Sequence, residues 1–395
     1  MKTGAYYTGN YRNLFAEFLD KSESEVQTKV DKAWDQLFKG DNNTERVYYP
    51  VEPDMAYIED IAHKEVCSEG MSYGMMIAVQ LDKKSEFDHL WKWAKTYMQY
   101  KSGQRKDYFA WQLDTSGTVI DHNPASDGDE WIAMSLFFAS ARWGNGKGIY
   151  NYQAEAQAIL DAMLGKAESP DSDSVITNMF NSKEKQVVFT PLGKSYHFTN
   201  PSYHLPHYYE LWARQADKNN SFWCEAASVS REFLKIAAHP QTGLFPDYSH
   251  FDGTPTDLWN KGHKDFRFDA WRVAMNIAVD YEWFARDEWA ISQSNRLLDF
   301  FYDQGLDKYA NQYTLEGKAL SKDHSPGLIA MNAVASLAST NPNRIDFIRE
   351  LWNTPVPSDI YRYYDGLLYM LAILQLSGNF RVYKPGDNPV SACDD

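Results

Sequence analysis

Three carboxylic acids stand at the start of three apolar helical stretches. Asp127 opens Asp127-Gly128-Asp129-Glu130 ahead of Trp131 to Trp143, Glu69 lies in Ser68-Glu69-Gly70 ahead of Met71 to Val79, and Asp269 follows Phe268 and precedes Ala270 to Ala278. A helix that is apolar nearly all round must be buried, so an acid at its mouth sits where a core opens to water. A capping acid costs nothing on an exposed helix, whereas an acid at a buried one must be hydrated in a cleft or paired. Hydrolysis of a glycosidic bond uses such a set: a protonated carboxyl for the leaving oxygen and an ionised one to activate water or attack directly. Glu69 and Asp269 are the chosen acid and base. A helix N-terminus favours the ionised form of Asp269, while Met71, Tyr73 and the nearby Asp127 are the groups that would keep a proton on Glu69. Arg272, one helical turn beyond Asp269, is placed to orient Asp269 or Asp127, or to form a structural ion pair.

The elements that must carry these acids alternate in kind. Amphipathic segments run Ser22 to Phe38, Ser85 to Tyr100, Tyr152 to Leu164, Ser221 to Ile236, Glu288 to Tyr302 and Arg344 to Trp352. Ser22 with Glu25 is a capping-box pattern, and Gly40 marks the stop of the first. Between them lie segments apolar on nearly every side, starting near Ser68, Asp127, Pro201, Phe268, Ser325 and Tyr363. One class needs a wet face and the other needs none, so the pattern predicts an all-α fold, an (α/α)6 barrel with an inner ring sheathed by an outer one. The inner N-termini then open on one rim. Short alternating pieces, Tyr108 to Leu113 and Lys185 to Phe189, predict small β-hairpins in the loops of that rim, within inserts spanning Tyr108 to Asp121 and Asp171 to Asn200. No linker divides the 395 residues, so one domain over 1–395 is expected.

A net charge of −15 excludes a nucleic acid backbone or an anionic membrane as a partner, and a neutral polar ligand fits better. Aromatic residues make up 15% of the chain, and sugar rings stack on aromatic faces while their hydroxyls seek hydrogen bonds, which invites a carbohydrate reading. No apolar signal region or membrane-length run is present, and Cys67, Cys224 and Cys393 are odd in number and widely scattered. That pattern predicts a reducing compartment, hence the cytoplasm, and a monomer is the expected state.

Other chemistries fare worse. Gly193-Lys194-Ser195 lacks a phosphate loop's first glycine, with Val188 in its place. His204 and His207 enclose Pro206 and have no accompanying Glu, so a structural role outweighs metal binding, and no cofactor or metal is expected. A Gly-x-Ser-x-Gly elbow is absent, and Cys67 has no nucleophile motif around it.

The segments Ala125-Ser126-Asp127-Gly128-Asp129, Ser68-Glu69-Gly70-Met71-Ser72-Tyr73-Gly74, Pro201-Ser202-Tyr203-His204-Leu205-Pro206, Phe268-Asp269-Ala270-Trp271-Arg272-Val273 and Tyr361-Arg362-Tyr363-Tyr364-Asp365-Gly366 resemble glycoside hydrolase family 8 over nearly the whole chain. Phe137 departs from the family signature, where a smaller aliphatic residue is usual. The resemblance implies an inverting mechanism with Glu69 as general acid, Asp269 as general base and Asp127 holding the sugar at the cleavage point. It is nearest to the xylan-active branch, and to the subgroup that releases xylose from the reducing end of β-1,4-xylo-oligosaccharides. Trp111, Tyr203, Trp271, Arg272 and Tyr363 are the implied substrate contacts, and His324, in Asp323-His324-Ser325, the implied block at the leaving-group end. Asp323 replaces an apolar residue in a loop that reads as shortened, and Cys67 stands where relatives often carry Arg. An open-cleft endo-β-1,4-xylanase and a catalytically inactive carbohydrate-binding or scaffold barrel are the competing readings.

Overall fold

The computed structural model describes residues 3–168, 174–386 and 393. Met1, Lys2 and the start of the expected insert, 171–173, lie outside the described residues. After two short helices, α1 (Ala5–Thr8) and α2 (Leu14–Leu19), which the sequence did not announce, two classes of helix alternate to the end of the barrel. The outer class is α3 (Glu23–Lys39), α5 (Lys84–Trp93), α7 (Tyr152–Leu164), α9 (Asn220–Ala237), α11 (Trp289–Gln304) and α13 (Arg344–Asn353). The inner class is α4 (Ser68–Gln80), α6 (Ser126–Trp143), α8 (Pro206–Gln215), α10 (Phe268–Phe284), α12 (Pro326–Ala335) and α14 (Tyr364–Leu376).

The inner helices close a ring. α4 packs on α6, α8 on α10, α10 on α12, α12 on α14, and α14 returns to α4, while α6 meets α8 through Trp131 and Tyr208, whose ring centroids are 5.2 Å apart. Each inner helix is backed by an outer one: α4 by α5, α6 by α7, α8 by α9, α10 by α11, α12 by α13 and α14 by α3. Burial follows the two patterns. Every residue of α4 except Glu69 is buried, whereas α3 buries Val26, Val30, Ala33, Trp34, Leu37 and Phe38, one face at helical spacing. The capping box forms as expected, with Ser22 and Glu25 bonded reciprocally, and Gly40 ends α3.

Boundaries shifted where proline or tertiary pairing decided them. α8 starts at Pro206, because a proline lacking its N–H fits a first helical turn and no interior one; Pro201–Tyr203 forms a separate 3-10 turn capped by Asn200. α5 gives way after Trp93 to a π-helical turn, Ala94–Met98, instead of running to Tyr100. The hairpins fall on the expected pieces but are shorter. β3 (Glu65–Cys67), β4 (Gln112–Asp114) and β5 (Val119–Asp121) form a three-stranded antiparallel sheet, β6 (Phe180–Asn181) pairs with β7 (Gln186–Val187), and β1 (Tyr48–Val51) with β2 (Met55–Ile58) is an unforeseen pair. Of the expected pieces, β4 takes up Gln112 and Leu113, and β7 lies inside Lys185 to Phe189. β3 runs straight into α4, so its pairing with β4 fixes where Glu69 stands.

The cysteine reading needs correction. Cys224 and Cys393 form a disulfide, their Cα atoms 5.4 Å apart across 169 residues of chain. Cys67 is a free, buried thiol. Scatter along the chain said nothing about distance in the fold, and the cysteine argument for a reducing compartment falls away. Among the described residues no helix is long and apolar enough to cross a membrane.

Candidate active site

Glu69, Asp127 and Asp269 are each the second residue of an inner helix. The residues before those helices, Cys67, Ala125 and Arg267, make no side-chain capping bond. The acids are thus free to face inward, and all three line one cleft of about 600 Å³ at the mouths of the inner helices.

A single guanidinium joins them. Arg272 Nη1 donates to Glu69 Oε2 at 2.9 Å, and lies 3.0 Å from Asp127 Oδ2. Arg272 Nη2 lies 3.3 Å from Asp269 Oδ1. The same side chain reaches Tyr73 Oη at 2.9 Å and Ser202 Oγ at 3.0 Å. Asn200 Nδ2 donates to Asp269 Oδ2 at 2.7 Å, Tyr363 Oη to Glu69 Oε1 at 3.2 Å, and Gly128 N to Asp127 Oδ1 at 2.9 Å. Behind Asp269, Asp247 Oδ1 accepts from Ala270 N at 3.1 Å and its other oxygen meets His263 Nδ1 at 2.9 Å. That contact holds the first turn of α10.

The environment acts on two of the acids in the same direction. Burial pushes the Glu69 carboxyl up to about 7; Arg272 pulls it down, the Asp127 and Asp269 charges push it up, and the Tyr363 hydroxyl opposes them. Asp127 is also raised, again by burial first and against Arg272. A carboxyl near 7 keeps a large protonated fraction at neutral pH and gives its proton up readily, which suits a general acid.

Three of the other expected contacts line the cleft with the acids: Trp111, Tyr203 and Tyr363. Two do not. Trp271 is 1% exposed, with Nε1 donating to Asn311 O at 3.0 Å; it lies two residues past Asp269, which turns it to a different side of the helix. His324 sits apart from the cleft, Nδ1 2.9 Å from Tyr309 O and Nε2 3.1 Å from Glu350 Oε1. Arg272, expected among the sugar contacts, is 2% exposed and turns both terminal nitrogens to the carboxylates, Tyr73 and Ser202.

Sequence reasoning gave no role to Asn200, Ser202 or Tyr248, although Asn200 directly precedes, and Ser202 lies within, the singled-out segment Pro201 to Pro206. Phe189, Thr190, Trp259 and Asn260 complete one wall. Asp60, His63 and Glu65 also line the cleft and bring ligand-type atoms within 4.8 Å of one another. Those atoms already have partners: His63 Nδ1 and Asp60 Oδ2 are 2.8 Å apart, and Gln112 Nε2 donates to Glu65 Oε2 at 2.7 Å. His204 has no such surroundings; it bridges Thr199 and Ser230 deep in the core, and burial lowers it to about 3.

Comparison with known proteins agrees with this geometry. The family model described as glycosyl hydrolases family 8 matches residues 24–378. The reducing-end xylose-releasing exo-oligoxylanase Rex8A of Paenibacillus barcinonensis is 47% identical over 386 residues, covering 96% of this chain and 98% of the relative. Its xylose complex superposes with a TM-score of 0.91 at 46% identity, over 97% of this chain and 100% of that one. The xylohexaose complex of a catalytic mutant GH8 xylanase from Teredinibacter turnerae gives 0.93 at 45% identity, over 97% and 100%. With the acids, the two helical rings and these matches in agreement, the chain belongs to glycosyl hydrolases family 8.

Proposed function

We propose that this glycoside hydrolase releases xylose from the reducing end of β-1,4-xylo-oligosaccharides with inversion at the anomeric carbon. The observation that carries the reading is the Arg272 hub, which binds three carboxyls from three helix mouths in one cleft. Glu69 protonates the glycosidic oxygen as the C1–O bond breaks. Asp269 takes a proton from water as the water oxygen bonds C1, and Asp127 holds the sugar at the cut. Trp111, Tyr203 and Tyr363 supply stacking and hydroxyl contacts. Support for the substrate comes from relatives such as Rex8A and the reducing end xylose-releasing exo-oligoxylanase of Halalkalibacterium halodurans, 44% identical over 97% of each chain. The family match over residues 24–378 and the single closed ring of helices support one catalytic domain over 1–395, and we take it to work as a monomer.

One observation favours a second reading, endo action through an open cleft. His324, the expected terminal block, is bonded to Tyr309 and Glu350 instead of lining the cleft, and a Teredinibacter turnerae xylanase is among the similar structures. Xylotetraose labelled at its reducing end separates the two. Early release of labelled xylose alone supports exo action, and labelled xylobiose or longer products overturn it in favour of the endo reading. Proton NMR of the first-formed anomer tests inversion.

A further inference from the structure

The segment from Asp247 to Phe266 leaves the barrel wall and returns just before α10. Its base is pinned by Asp247 N donating to Asp265 O at 3.1 Å and Tyr248 N to His263 O at 2.8 Å, and by the Tyr248 and His263 rings, stacked with centroids 4.2 Å apart. Thr256 N donates back to Tyr248 O at 3.0 Å. The tip beyond Thr256 is thereby held at the edge of the cleft, where Trp259 and Asn260 form part of the lining. Trp259 is 51% exposed. Leaving half an indole in water forgoes much of the largest burial gain any side chain offers, and an exposed indole on a cleft wall is a surface for a ligand to cover.

Two further observations say which ligand. Trp259 is the outermost ring of a series leading to the carboxylates: its centroid is 6.0 Å from that of Phe189, Phe189 stacks on Tyr203 at 5.9 Å, and Arg272 Cζ lies 5.7 Å from the Tyr203 ring. Next to Phe189, Thr190 also lines the cleft, and its hydroxyl is shielded from solvent with no hydrogen-bond partner. Such a hydroxyl is costly unless a ligand meets it. A flat apolar face beside an unsatisfied hydroxyl and an amide matches a pyranose, with its C–H face and ring of hydroxyls.

We propose that Trp259, with Thr190 and Asn260, binds a xylosyl ring remote from the scissile bond and so makes affinity rise with oligosaccharide length. This rests on the xylo-oligosaccharide reading of the cleft. Calorimetric titration of the Glu69→Gln enzyme with xylobiose and xylohexaose tests it, with and without a second substitution. Trp259→Ala is expected to weaken xylohexaose binding by about tenfold, the loss of one aromatic contact, and to weaken xylobiose binding less. Trp259→Phe is expected to recover most of the loss. Thr190→Val keeps the indole and is also expected to weaken xylohexaose binding, so a folding defect in one variant does not end the test. Equal losses for both lengths, or no loss for xylohexaose, overturn the proposal while leaving the substrate reading intact. Failure of Glu69→Gln to bind either oligosaccharide overturns both.

Discussion

Arg272 Nη1 donates to Glu69 Oε2 across 2.9 Å although 203 residues of chain separate the two. The same nitrogen is 3.0 Å from Asp127 Oδ2, so the acid shares its cation with a second carboxylate. Glu69 therefore gets less relief from Arg272 than in a private ion pair, and burial prevails in setting its proton affinity.

Replacing Glu69 by Gln removes the proton donor and keeps the shape of the cleft. Turnover is expected to fall by about 10²–10⁴-fold, the usual worth of general acid catalysis, while xylotetraose binding measured by calorimetry survives. Unchanged turnover would remove Glu69 from its assigned role.

The activity should decline as pH rises through about 7. In the proposed role Glu69 acts protonated, and its carboxyl lies near 7 because burial disfavours its charge; above that value the donor is lost. A kcat/KM profile between pH 5 and 9 checks this, and a flat alkaline limb through pH 8 would contradict it.

Arg272→Met should move that limb to higher pH as well as lower kcat, because the guanidinium is the group that holds Glu69 down. The three carboxyls would also lose their common cation, a change that costs about 3–5 kcal/mol when a buried pair is broken. A purely structural role predicts lower melting temperature with the limb unmoved, so profile and melting curve together separate the cases.

Gly70→Ala is a steric test of the Tyr363 contact. A methyl at position 70 would lie 2.5 Å from Tyr363 Cε2 and 2.8 Å from its hydroxyl oxygen. The tyrosine must move off Glu69, and kcat/KM is expected to fall by about tenfold, the worth of one hydrogen bond to an active group. Full activity in this variant would mean the tyrosine is dispensable.

Reduction of Cys224–Cys393 should lower stability by roughly 2–4 kcal/mol, since the bond closes a long loop of the unfolded chain. Melting curves with and without dithiothreitol, and of Cys224→Ser, measure it. Identical curves would show that the bond does not form.

What was legible in the sequence was whatever a local pattern records. Two hydrophobic periods gave both rings of helices, and acids directly preceding apolar runs gave Glu69, Asp127 and Asp269. Arg272 was readable because it lies one turn from Asp269 on the same face. Trp271 misled for the same geometric reason, since its neighbour position turns it into the core against Asn311. Asn200 bonds Asp269 from 69 residues away and Tyr73 meets Arg272 from 199 away, and no periodicity encodes such pairings. The block at His324 is implied by the family resemblance alone, and Glu350, on an outer helix, holds its ring in this chain.

The three acids descend from three positions on a closed ring, α4, α6 and α10, and the shortest stretch of chain that carries them all already spans four of its six inner helices. Their spacing is a property of the intact circle of helices. Heat inactivation should therefore coincide with cooperative melting, and no proteolytic piece lacking one helix pair should retain partial turnover. The rim loops, in contrast, can change length and sequence without disturbing the spacing, which leaves substrate choice free to diverge on a fixed chemical engine.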